Sequence, residues 1–79
     1  MADAIDFALR GDHIALDALL KATGLATSGG DAKVLIADGG VRVNGDTETR
    51  RGRKLRAGDR VAVGDAVVHV QAPSSPSPP

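Results

Sequence analysis

Cysteine, tyrosine and tryptophan are absent from the chain, and phenylalanine occurs once, at Phe7. Without cysteine there are no disulfides and no zinc-thiolate sites, which fits a reducing compartment. With a single aromatic side chain there is no platform on which successive planar rings could stack. No apolar run approaches the roughly 20 residues of a membrane span, and the N-terminus lacks a basic start followed by an apolar stretch. The expectation is a soluble, cytoplasmic protein with no membrane partner. The 79 residues suffice for one domain that buries only about 60% of its unfolded surface. We expect that domain over residues 1–72, followed by a disordered Pro/Ser-rich tail over residues 73–79, whose composition has nothing to bury.

An excess of either charge is also missing, since ten Lys/Arg balance ten Asp/Glu. The distribution, however, is segregated. Residues 1–41 carry six acids and three bases, net −3, whereas residues 42–79 carry seven bases and four acids, net +3. Such a chain can present one strongly positive face while neutral overall. The sharpest feature is Arg50, Arg51, Gly52, Arg53 and Lys54, followed by Arg56, with no acid from Arg50 to Arg56. A run of like charge is usually a solvated surface. Here its self-repulsion in a small fold favours an anionic partner, and arginine suits planar, bidentate contact with phosphate. Gly52 within the run would let backbone approach a phosphate closely.

The apolar periodicity predicts an α+β fold, a two-helix hairpin packed on a small antiparallel sheet of three to five short strands. Ile5, Phe7 and Leu9 alternate with polar positions as in a half-buried strand, and Gly11-Asp12 breaks the pattern. From about Ile14, Leu16, Leu19, Leu20 and Thr23 fall on one helical face, which Gly24 terminates; His13 and Ile14 could equally be extended. Ser28, with Asp31 three residues on, signals the start of a second helix, whose inner face is Ala32, Leu35 and Ile36 and whose stop is Gly39-Gly40. Beyond it, Val41 and Val43 alternate with Arg42 before Asn44-Gly45. A two-residue turn there would set Asp46 opposite Val43 and Glu48 opposite Val41, acids on an apolar face. Either the loop is longer, or those acids lie on an exposed edge. The last hairpin, turning at Gly64-Asp65, places Val61, Val63, Ala66, Val68 and Val70 on one side and Val67 and His69 on the other.

Catalysis finds little support. His13 sits beside a break and His69 in mid-strand, and no glycine-serine-glycine elbow accompanies them. No helix offers ligand spacing for a metal, and Ser28-Gly29-Gly30 lacks the spacing of a phosphate-cradling loop. We therefore expect no enzyme activity, no small-molecule substrate, no cofactor and no metal.

The order of motifs resembles a known family. Leu16, Asp17 and Leu20 open the first helix, Ser28, Ala32 and Lys33 mark the second, Val41, Val43, Asn44 and Gly45 follow, and Gly58-Asp59 precedes the last hairpin. Over roughly residues 14–70 this is similar to the RNA-binding domain of small-subunit ribosomal protein four, with its alpha-L motif, and within that family to short stand-alone bacterial proteins. The resemblance implies binding of structured RNA, ribosomal or transfer RNA, with phosphates met by Lys33, Arg42, Arg50, Arg51, Arg53, Lys54 and Arg56. It departs at Gly29, where members commonly carry a basic residue, which moves the expected weight onto Arg50, Arg51, Arg53 and Lys54. These cations are expected to converge in space, on a monomer. The rival reading is a protein-interaction module docking an acidic partner in a ribosome-associated complex.

Overall fold

The computed structural model describes residues 3–73, so the tail from Ser74 onward lies outside the described residues. Five strands form one sheet: β1 (Asp3–Ala8), β3 (Val41–Val43), β4 (Asp46–Thr47), β6 (Arg60–Val63) and β7 (Ala66–Gln71), in the order β1-β7-β6-β3-β4. A two-stranded sheet joins β2 (Ile14–Ala15) to β5 (Lys54–Leu55). Two helices, α1 (Leu16–Ala22) and α2 (Gly29–Ala37), stand between β2 and β3. The α+β architecture is the expected one. The sheet, however, is mixed and not wholly antiparallel: β1 runs parallel to β7, with Asp3 opposite Ala66 and Ala8 opposite Gln71. Alternation can assign β1 to a strand, but its partner is at the far end of the sequence, which local pattern does not specify.

Side-chain alternation sorts the sheet into two faces. Val41, Val43, Val61, Val68 and Val70 are buried on one face, together with Leu16, Leu19 and Leu20 of α1, Ala32 and Ile36 of α2, and Leu55. Ile5 and Phe7, paired with Val68 and Val70, pack partly buried against this core. Arg42, Ala62 and Val67 are cross-strand neighbours, out of phase with the buried valines, and occupy the other face. The last hairpin has the register its sequence predicts, with Val63 opposite Ala66 and Val61 opposite Val68.

The helices are short, and their starts are fixed differently, that of α2 by local side-chain bonds and that of α1 by tertiary ones. Ser28 Oγ accepts from the Asp31 amide at 3.1 Å, while Asp31 Oδ2 accepts from the Thr27 amide at 3.0 Å. The predicted cap therefore forms, with the return bond falling one residue earlier than in the usual reciprocal arrangement. Ala15 gives α1 no side-chain cap. Instead the Leu16 amide donates to the Arg53 carbonyl at 2.9 Å, and the Asp17 amide to the Arg51 carbonyl at 3.0 Å. Ile14 and Ala15 are extended because they pair with Leu55 and Lys54, which is why α1 begins at Leu16 and not at Ile14.

Candidate nucleic-acid interface

The basic run is presented by a loop whose shape begins at the Asn44-Gly45 turn. Both residues have positive φ, 54° and 89°, as a tight two-residue reversal requires. Val43 therefore faces Asp46 and Arg42 faces Thr47, and the next ladder bond runs from the Glu48 amide to the Val41 carbonyl at 3.0 Å. The turn is thus the short one. Asp46 does lie exposed on the edge strand, but Glu48 corrects the second half of that expectation: it is turned inward and is only 6% exposed.

A carboxylate in that position needs partners. Glu48 Oε1 accepts from Arg53 Nη1 at 2.9 Å; Glu48 Oε2 accepts from the Thr49 amide at 3.0 Å, the Arg50 amide at 3.2 Å and Arg50 Nε at 3.3 Å. Arg50 Nη2 reaches Oε1 at 3.4 Å, at the limit of a hydrogen bond. The Arg53 guanidinium, then that of Arg50, then the Arg50 amide, lower the Glu48 pKa to about 2 against an ordinary 4.5. The carboxylate is therefore ionised at neutral pH.

The loop is also bound to the helix hairpin. The carbonyls of Arg51 and Arg53 take the first two amides of α1, and Lys54 pairs with Ala15. Arg51, Lys54 and Arg56 are exposed and, among the described residues, have no ion-pair partner. The Arg56 amide donates to Asp59 Oδ2 at 2.8 Å, which fixes the backbone and leaves the guanidinium in solvent. The Arg50 side chain stays 78% exposed despite its ion pair, and that of Arg53 is 35% exposed.

The cations expected to converge are therefore distributed as follows. Arg50, Arg51, Arg53, Lys54 and Arg56 share one segment at the start of α1, a loop that runs into β5 at Lys54. Arg42 projects from the sheet face opposite the one that carries Val41, on whose side Glu48 is buried, and Lys33 is exposed on α2; neither shares a hydrogen bond with the loop. Two of the loop's arginines are met by the protein's own carboxylate, a contact the sequence reading missed. A signal for it was present: the two-residue register placed Glu48 on the apolar side, with arginines two and five residues later.

Helix hairpin, mixed sheet and basic loop together define a small α+β module of the alpha-L class. The sequence pattern of the S4 domain matches residues 7–71, and the chain belongs to that family. YbcJ of Escherichia coli (strain K12) is 43% identical over 60 residues, spanning 76% of this chain and 86% of that protein; YbcJ of Shigella flexneri matches to the same extent. The solution structure of E. coli YbcJ, described as revealing an alpha-L motif involved in RNA binding, superposes with a TM-score of 0.69 at 40% identity, over 91% of this chain and 92% of the other.

Proposed function

We propose that this protein is a non-catalytic RNA-binding module that holds structured RNA, ribosomal or transfer RNA, chiefly by its phosphates through the loop of residues 50–56. The observation that carries this reading is the pair of backbone bonds from the start of α1 to the carbonyls of Arg51 and Arg53. They mount a dense cationic segment on a folded framework, which lowers the entropy lost when phosphates are bound. Membership in the S4 family and likeness to a structure described as having an RNA-binding motif support the same reading. With one phenylalanine and no other aromatic residue, recognition rests on backbone and shape, with little readout of unpaired bases.

The test is a titration of a structured RNA, such as transfer RNA, against wild type and the triple reversal Arg51→Glu, Lys54→Glu, Arg56→Glu. These are the loop cations with no internal partner, so reversing them leaves the Glu48 cluster intact. If four or five phosphates are neutralised, the log-log salt slope should be about −3 to −4.5, a loss of roughly 60- to 500-fold between 50 and 200 mM salt. The reversal should abolish binding at moderate salt. A flat salt response, or a reversal without effect, removes the proposal.

A further inference from the structure

Glu48 is out of place by simple electrostatics. A carboxylate beside five cations that meet a polyanion should weaken the encounter, and a neutral residue there should strengthen it. Yet it is buried, it makes two ion pairs, and it accepts from two successive backbone amides. Its bonds are divided in a particular way. A guanidinium has five N–H donors in a fixed fork. Arg50 turns Nε and one N–H of Nη2 toward Glu48, so three donors remain; Arg53 commits only Nη1, so four remain. The free edge of Arg50 faces solvent.

Phosphate could compete with Glu48 for these arginines, or it could bind them from outside. Displacement would leave an ionised carboxylate buried without its partners, the costlier arrangement. Binding to the outer edges costs nothing of the kind and meets side chains whose rotamers are already held. We propose that Glu48 is a positioning residue for phosphate recognition: its carboxylate grips Arg50 and Arg53 by their inner edges and presents their outer N–H groups as a fixed pair to a phosphodiester backbone. This rests on the RNA-binding reading above. It gives the buried acid a role opposite in sign to the one its charge alone would assign.

The experiment measures transfer RNA affinity for the full chain by fluorescence anisotropy at three salt concentrations, with thermal melts to establish that each variant is folded. Glu48→Gln, although it removes a negative charge, is expected to bind at least about fivefold more weakly, with a salt slope shallower by about one to two as the arginine pair loses its hold on phosphate. In an Arg50→Ala/Arg53→Ala background the same substitution should no longer weaken binding, because nothing is left to position. Glu48→Asp keeps the charge but withdraws the carboxylate by one methylene, and it too should weaken binding. Tighter binding by Glu48→Gln, equal weakening in both backgrounds, or wild-type affinity in Glu48→Asp each overturns the proposal. If wild type itself shows no salt-dependent RNA binding, the functional reading falls and this proposal falls with it. If wild type binds and the Arg51/Lys54/Arg56 reversal abolishes binding while Glu48→Gln tightens it, only the positioning role is lost.

Discussion

At the scale of single residues, Glu48 makes stability depend on acid. Its pKa is depressed in the fold, so its contribution is fully present above about 4.5 and is lost as pH falls toward about 2. Urea melts of wild type between pH 6 and pH 2 should show this loss, and those of Glu48→Gln should lack that component. In the core, Leu20 is wholly buried beside Leu16 and Leu19. Leu20→Ala should cost about 2–5 kcal/mol, a large part of what a domain this small possesses; a drop below about 1 kcal/mol in chemical denaturation would contradict the packing described. Asn44 is a third case, since it holds a positive φ while its side-chain Nδ2 donates to Asp59 Oδ1 at 3.1 Å and its Oδ1 accepts from the Arg60 backbone amide at 2.9 Å. Asn44→Ala should lose about 1–3 kcal/mol through the lost bonds and the strained backbone.

Elements differ in how far their own residues specify them. For α2 both ends were legible, because Ser28 caps it and Gly39, at φ 79°, follows its last turn. Ser28→Ala should therefore destabilise the protein by about 1 kcal/mol, readable as a lower denaturant midpoint. For α1 only the inner face was legible. Its start is set by carbonyls some 35 residues further along the chain, at Arg51 and Arg53, and no local signal encodes a cap of that kind. The arginine loop was legible as composition but not as structure. Gly52 illustrates this: a Cβ there would meet open space, and no left-handed φ demands glycine. Gly52→Ala should leave stability unchanged or raise it by up to about 1 kcal/mol. A weakened grip on transfer RNA in that folded variant would locate a close backbone approach at this position.

For the molecule as a whole, the fold class was readable because its apolar periods switch cleanly from two to helical and back. Charge segregation was readable too, but not how the second half's cations would be shared out. Arg42 and the arginine loop lie close in sequence, yet the pleat sends Arg42 to the sheet face away from the core. The two-residue register of residues 41–48 put Glu48 on the apolar side, but it did not show that Arg50 and Arg53 would fold back to meet the acid there, the sole buried charged side chain among the described residues. Chain order likewise concealed the parallel join, in which the first strand of the sequence lies beside the last.

That join has a mechanical corollary. Because β1 and β7 run in the same direction, Asp3 stands near Ala66 while Gln71 stands beside Ala8, so the chain enters and leaves this strand pair at opposite ends, about 17 Å apart. Tension applied between the two would load their ladder in shear, with all its bonds strained together, and would not peel them open one by one.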